Sequence, residues 1–239
     1  MLQVLVVTVT ALLASFLAAI AGFGGAVVML PVLVWALGVQ DAVPVLTVVQ
    51  VIGNLWRVLL NRHELNRPVV KRFAIGAVPA AVVGGIIFAK TPVGALVRVL
   101  GVFLIVMVVY RHTGWGKRTK FTLRGFLPLG AASGVVSATL GTVGPLAAPF
   151  FLAYGLVKGA YIGTEAMTAV VMHVTKLAVY GSYRLVGVRT LLIGVAIGCV
   201  MLVGVYLGRR LLGRVPERIF PYIIEATLLV SGIIFIVQG

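Results

Sequence analysis

The chain has 239 residues, of which 61% are hydrophobic and only 10% are charged, and its mean hydropathy is +1.16. A soluble domain carries about 25% charged residues, so this composition excludes a water-soluble globular fold and indicates that lipid is the main solvent. The net charge of +15 does not indicate nucleic-acid binding, because Lys and Arg cluster in short gaps between apolar runs, as in cytoplasmic loops of membrane proteins.

The apolar runs predict an all-α polytopic membrane protein. They lie near 3–21, 25–37, 43–60, 73–89, 93–110, 125–140, 145–157, 163–183, 188–208 and 219–237. The first run has no basic flank before it, so we expect a retained membrane segment and not a signal peptide. A spanning helix needs about 20 residues, so the short segments 25–37 and 145–157 are expected to begin or end inside the membrane.

Each short segment follows a glycine-rich break. The sequence predicts discontinuous helices at 22–25 and 141–145, because glycine tolerates the dihedrals of an unwound turn and lets a ligand approach the backbone. The helix that follows a break points its free N–H groups at whatever lies beside it, which suits an anion. The candidate contacts are Gly22, Gly24, Gly25, Gly141 and Gly144. Tight helix packing through small residues is the alternative.

A shift of 119 positions superposes the two breaks. It places Gly22 on Gly141 and Gly25 on Gly144, and the spacing holds without a gap across three segments. We therefore expect two homologous halves, 1–115 and 116–239. If all ten segments cross, nearly all Lys and Arg of the loops share one side, which gives the halves opposite orientations. If the short segments only dip into the membrane, eight segments cross it and the separation of charge between the two sides is weaker. The sequence therefore allows 8–10 membrane segments.

Polar residues follow one face of the third and of the eighth segment. The two stripes are Thr47, Gln50, Asn54 and Arg57, then Thr164, Thr168, His173 and Lys176. The 119-residue shift places Asn54 on His173 and Arg57 on Lys176. A cation at the centre of a membrane helix costs ~2.5–3.5 kcal/mol, so such residues usually face a cavity or a partner. We expect all of these side chains except Thr47 to bind a small anion. Substitution of Lys176 is expected to weaken anion binding the most.

Each of these residues also has an alternative role. Arg57 lies near a predicted cytoplasmic end, from which it can snorkel to the headgroups. Gln50, Asn54 and His173 can instead hydrogen-bond between helices. Glu165, close to a helix start, is assigned to the helix dipole and not to the site.

Two residues are candidates for proton coupling. His173 changes its charge near neutral pH. Glu225, within the last segment, either pairs with Lys176 or Arg57 or carries a proton, and structural pairing is favoured.

Taken together, these motifs resemble the sulfite exporter TauE/SafE family of membrane permeases. The residues that carry the resemblance are Gly22-Phe23-Gly24-Gly25, Pro31, Gly38, Gly141 to Pro145, Pro149, Tyr154 to Lys158, Gly163-Thr164 and His173 to Lys176. The resemblance covers almost the whole chain. It implies secondary transport of sulfur-containing anions such as sulfite and short sulfonates. The chain departs from the family pattern at Ala26, Val143 and Glu165, which leaves the exact substrate open.

The sequence favours a secondary transporter in the plasma or inner membrane, and the resemblance implies that it is an exporter. No Walker motif, HExxH motif or paired intramembrane carboxylates occur, and Cys199 is the one cysteine, so we expect no cofactor, no metal and no enzymatic activity. An anion channel and a membrane-embedded enzyme acting on a small anionic substrate are the alternatives. The expected partners are the substrate anion and the lipid bilayer, without nucleic acid; a homo-oligomer is compatible with the sequence.

Overall fold

The computed structural model describes residues 2–23, 25–88, 121–140 and 144–238, together with Val102, Ile105, Val106 and Val109. These residues form helices and connecting turns, with no strand among them. The helices are α1 (Leu2–Ala21), α2 (Gly25–Leu37), α3 (Val39–Leu60), α4 (Arg67–Phe88), α5 (Phe126–Leu140), α6 (Gly144–Ala153), α7 (Lys158–Ser182), α8 (Val188–Leu212) and α9 (Phe220–Gln238), and a 3₁₀ turn at Leu123–Gly125 precedes α5. The predicted segment 93–110 falls, apart from the four isolated residues, outside the described residues.

The prediction of an all-helical protein is confirmed, and most helix bounds lie close to the predicted ones. The two predicted short segments are short helices, with 13 residues in α2 and 10 in α6. Helices α3, α4 and α7 begin several residues earlier than the apolar runs do. Their first turns are polar, so hydropathy does not reveal them. At α4 the side chain of Asn66 accepts a hydrogen bond from Val69 N–H, which caps the helix start.

Helix α6 ends before its apolar run does. Gly155 has φ +97°, its N–H donates to Leu152 O, and Leu156 N–H donates to Phe151 O. This pair of hydrogen bonds around a left-handed glycine is a Schellman motif, which closes a helix and turns the chain away. The apolar residues that follow Ala153 therefore belong to a turn and not to the helix.

Six of the helices pack in one series, and the 119-residue shift exchanges the two ends of this series. Helix α1 packs on α8, α8 on α3, α3 on α7, α7 on α4 and α4 on α5. The two short helices lie beside this series, α2 against α1 and α3, and α6 against α7 and α5. The 119-residue shift relates these contacts in pairs: α1–α8 with α5–α4, α8–α3 with α4–α7, α1–α2 with α5–α6, and α2–α3 with α6–α7. The shift maps the central α3–α7 pair onto itself.

Small residues allow the outer helix pairs to approach closely. A Cβ added at Gly84 of α4 would lie 2.8 Å from Val135 O of α5, and one at Gly134 of α5 would overlap α4 in the same way, 2.9 Å from Ala81 N. Helix α8 approaches α1 similarly, since a Cβ at Gly208 would lie 2.7 Å from Phe16 O. Packing through small residues is how membrane helices associate without a hydrophobic driving force.

Apolar side chains face outward and polar side chains face inward. Large hydrophobic residues such as Leu5, Leu59, Val83, Leu192 and Leu207 are exposed on the helix surfaces. Four of the described helical stretches are long and apolar enough to cross a membrane: Leu2–Ala21, Asp41–Leu60, Arg67–Ile87 and Val188–Leu212. The outward apolar surface and these stretches make the chain a multi-pass membrane protein.

Helix α7 lies at the centre of the helix bundle. It has 25 residues, and two charged residues, Glu165 and Lys176, lie within it away from its ends. It packs against α3, α4, α6, α1 and α5, which shields its polar face from lipid. Both predicted polar stripes, 47–57 on α3 and 164–176 on α7, are buried inside the protein.

Candidate functional site

The first helix break lies between α1 and α2. Helix α1 ends at Ala21, and Gly22 adopts φ +83°, a conformation in which a side chain is strained. A Cβ at Gly22 would also overlap Cε1 of Tyr161 on α7. Glycine is therefore required here for two reasons. The break leaves carbonyl groups at the end of α1 without partners within the helix.

Arg57 on α3 donates to two carbonyl groups at this break, of which Ala18 O also accepts the N–H of Gly22. Its Nη1 donates to Ala18 O at 3.1 Å and also to Gly22 O. The guanidinium is buried, and it lies at the negative end of α1, where a cation is favoured. Arg57 therefore does not snorkel toward the headgroups; it points into the bundle.

Asn54 and Gln50 lie one and two turns before Arg57 on the same side of α3. Nη2 of Arg57 donates to Oδ1 of Asn54, and Nδ2 of Asn54 donates to Gln50 O at 2.7 Å. Asn54 thus has both ends of its amide engaged, one by its own helix and one by Arg57. It fixes the orientation of the guanidinium.

Glu165 on α7 completes the contacts of Arg57. Its Oε2 lies 3.3 Å from Nη1 of Arg57, and both side chains are buried. The sequence analysis assigned this acid to the helix dipole and left it out of the site. A lone acid on the same helix face as His173 is a signal that could have revealed it, since a buried carboxylate requires a cation. The ion pair joins the two central helices.

The second break, between α5 and α6, approaches the first. Helix α5 ends at Leu140 and α6 begins at Gly144. A Cβ at Gly144 would overlap Cβ of Phe23 and would lie 3.3 Å from Oε1 of Glu165. Phe23 belongs to the first break, so the start of α6 lies against the first break, with Glu165 beside them.

A small cavity lies at this meeting point. It is lined by residues of α1, α2, α3, α6 and α7 and of the first break: Ala18, Phe23, Gly25, Ala26, Gln50, Asn54, Arg57, Gly144, Glu165, Ala169 and His173. It offers about 20 Å³ to a water-sized sphere, which is room for about one water molecule. The first residues of both short helices, Gly25 and Gly144, are among its walls.

His173 contributes an unsatisfied polar atom to the cavity. Its side chain is buried, and Nδ1 has no hydrogen-bond partner among the described residues. A buried polar atom without a partner is costly and uncommon in a folded protein. In a cavity wall, such an atom is available to a molecule that enters.

The structure places three of the predicted site residues away from the cavity walls. The hydroxyl of Thr164 accepts a hydrogen bond from Asn66 N–H at 2.9 Å, in the turn before α4. The hydroxyl of Thr168 donates to Glu165 O on its own helix at 2.7 Å. Nζ of Lys176 donates to Ser137 O of α5 at 3.0 Å.

The remaining predicted residues are placed as follows. Gly22 holds Arg57 through its carbonyl without lining the cavity, whereas Gly25, Gln50, Asn54, Arg57, Gly144 and His173 line it. Gly24 and Gly141 lie outside the described residues. Glu225 on α9 is buried, and Arg57 pairs with Glu165.

The match to a known family covers nearly the whole chain. The family model described as Sulfite exporter TauE/SafE matches residues 7–235. No curated protein and no solved structure matches the chain. The family consists of membrane permeases and not of enzymes, which agrees with the helical architecture. Because the match includes both breaks and both central helices, the chain belongs to the sulfite exporter TauE/SafE family.

Proposed function

We propose that this protein is a secondary transporter of small sulfur-containing anions, such as sulfite or short organosulfonates, and that it binds them in the cavity between the two helix breaks. The family supplies the substrate class. The observation that carries the proposal is the convergence, around one cavity, of Arg57, the unpartnered Nδ1 of His173 and the first residues of α2 and α6.

These groups suit a sulfonate or sulfite anion chemically. The N-terminus of a helix presents free N–H groups and a partial positive charge, and here two such ends reach the same cavity. The guanidinium of Arg57 is planar and permanently charged, which allows two parallel hydrogen bonds to an oxyanion. Protonated Nδ1 of His173 would supply a further donor.

The size of the cavity supports a carrier over a channel. Space for about one water molecule is too little for an anion with four or more heavy atoms. Binding therefore requires the walls to separate. A site between two groups of helices that must move apart to admit the substrate is typical of alternating access.

We propose that residues 1–115 and 116–239 are two homologous halves in opposite orientations. Alternating access requires two bundles that move against each other, and each bundle combines helices of both halves, α1, α2, α3 and α8 in one and α4, α5, α6 and α7 in the other. The series of helix contacts supports the division into halves, because the 119-residue shift maps the series onto itself. So does a pair of matching bonds: Arg57 donates to Ala18 O and Lys176 donates to Ser137 O, each 39 residues earlier in the chain. Both pairs are related by the 119-residue shift. Export across the plasma or inner membrane follows from the family name and is part of the same proposal.

Flux into liposomes tests the function. Purified protein in liposomes should give saturable uptake of sulfite and of methanesulfonate, and a preloaded anion should accelerate it by exchange. Arg57→Gln should abolish this uptake, whereas Arg62→Gln, which alters an exposed arginine five residues later, should leave it unchanged. Ohmic anion currents would instead favour a channel. Uptake that is equal in empty and protein-containing liposomes would contradict the proposal.

A further inference from the structure

The cavity contains an acid as well as a cation, and this determines when an anion can bind. Oε2 of Glu165 lies 3.3 Å from Nη1 of Arg57, and both residues line the cavity. The remaining contacts of the guanidinium go to Ala18 O, Gly22 O and Asn54. A carboxylate therefore already takes the place on Arg57 that a substrate anion would take.

An ionised Glu165 and a substrate anion cannot share this cavity at low cost. Both are negative, both would lie within a few ångströms of one guanidinium, and the surroundings are buried, so their repulsion is weakly screened. The oxygen of Glu165 is also close to the start of α6, because a Cβ at Gly144 would lie 3.3 Å from Oε1. Glu165 thus competes with the anion for Arg57 and for one of the two helix N-termini.

We infer that Glu165 is the proton-coupling residue of this transporter: an anion binds Arg57 only when Glu165 has taken up a proton. This inference rests on the proposed function. In this step one proton adds to the Glu165 carboxylate, and the Arg57–anion pair replaces the Arg57–Glu165 ion pair. A monoanion and one proton therefore cross together, without net charge. An empty carrier keeps the Arg57–Glu165 pair and stays closed.

The other ionisable groups that face Glu165 are few among the described residues. Helix α3 contributes Arg57, and α7 itself contributes Tyr161, one turn earlier, and His173, two turns later. The cavity residues of α1, α2 and α6 carry no ionisable side chain. On α4 the charged residues Arg67, Lys71 and Arg72 are exposed and lie in its first two turns. His173 is therefore the competing candidate for the proton.

Binding of methanesulfonate as a function of pH tests the inference, because the sulfonate stays ionised across the whole range. In the wild-type protein the apparent Kd should rise on the alkaline side by about tenfold for each pH unit, as one linked proton requires. Glu165→Gln should abolish this dependence and keep tight binding at alkaline pH. His173→Gln should weaken binding but keep the slope.

Two controls address neighbouring explanations. Glu64→Gln alters an ion-paired acid outside the cavity and should reproduce the wild-type curve. Glu225→Gln alters an acid that the sequence analysis named as a candidate for proton coupling, and it should also keep the slope. A wild-type slope in Glu165→Gln, or a flat curve in His173→Gln or Glu225→Gln, would overturn the inference.

A second measurement needs no variant and covers the case in which Glu165→Gln does not fold. Calorimetric titration of the wild-type protein in two buffers of different ionisation enthalpy gives the number of protons taken up with each anion. We expect about one at alkaline pH and about zero at acidic pH. Anion binding without proton uptake at any pH refutes the role of Glu165 alone. Absence of binding for methanesulfonate and sulfite at every pH refutes the proposed function and this inference with it.

Discussion

Arg57 and Lys176 occupy matching positions and have different surroundings. Each donates to a carbonyl near the end of the helix that precedes a break, Arg57 to Ala18 O and Lys176 to Ser137 O. Arg57 also lines the cavity and pairs with Glu165, whereas Lys176 is fully buried away from the cavity walls. A guanidinium has five donors in a broad fork, so it can hold helix carbonyls and still meet an anion. The comparison separates a structural role, common to both cations, from a binding role that we assign to Arg57.

The largest effect on binding is expected at Arg57. Arg57→Gln in a Glu165→Gln background, which avoids an unpaired buried carboxylate, should weaken methanesulfonate binding at least ~100-fold relative to Glu165→Gln alone, or about 2.7 kcal/mol. The reason is the loss of a charged, buried donor. Titration calorimetry on detergent-purified protein measures it. Equal affinity in the single and double variants would show that Arg57 is not an anion contact.

The next effect concerns the break that Arg57 holds. Gly22→Ala should lower the unfolding free energy by ~2–5 kcal/mol, because it adds backbone strain at φ +83° and an overlap with Tyr161. Gly38→Ala is the matched control, since Gly38 has φ +81° and nothing within 4 Å of an added Cβ. It should lose only ~1–2 kcal/mol from the strain. Thermal unfolding in detergent compares them, and equal losses would mean that the overlap with Tyr161 relaxes without cost.

The counterpart change at Lys176 should affect stability more than binding. Lys176→Met keeps the length of the side chain and removes the donor to Ser137 O, which should cost ~1–3 kcal/mol of stability. Methanesulfonate affinity should change less than about threefold, or ~0.6 kcal/mol. This ranking is the reverse of the one that the sequence suggested. A loss of affinity as large as that at Arg57 would favour the original ranking and would place Lys176 in the binding site.

The smallest effect is expected for an ion pair near the protein surface. Arg209 and Glu64 lie 3.2 Å apart with both side chains partly exposed. Glu64→Gln should change the unfolding free energy by only about 0–1 kcal/mol, because solvent screens exposed pairs. Thermal unfolding at low and high salt measures this change. A loss comparable with that of Lys176→Met would mean that the pair is shielded from solvent.

Much of the fold could be predicted because membrane helices are governed by local rules. The apolar runs gave every described helix, and their lengths gave the two short ones, since lipid requires long apolar stretches and internally satisfied backbone groups. The polar first turns of α3, α4 and α7 were missed, because a polar turn outside the apolar run has no hydropathy signal. The end of α6 was missed because hydropathy does not register the left-handed turn at Gly155.

The site could be predicted only in outline. Periodicity placed Gln50, Asn54 and Arg57 on one helix face, and the structure brings all three to the cavity. Periodicity placed Thr164, Thr168 and Lys176 on a second face, and their polar atoms bond to the backbone instead. Side chains on one stripe differ in their partners because adjacent helices approach each position differently.

The sequence by itself determined that this protein is a bundle of membrane helices, that two glycine-rich breaks interrupt it, and that its few intramembrane charges lie on α3, α7 and α9. Composition and helical period are local properties, so they can be read along the chain. Only the tertiary structure decided which groups meet: it brought Phe23 of one break against Gly144 of the other and placed Glu165 on Arg57. Such contacts join residues more than a hundred positions apart, and they depend on how closely whole helices approach one another.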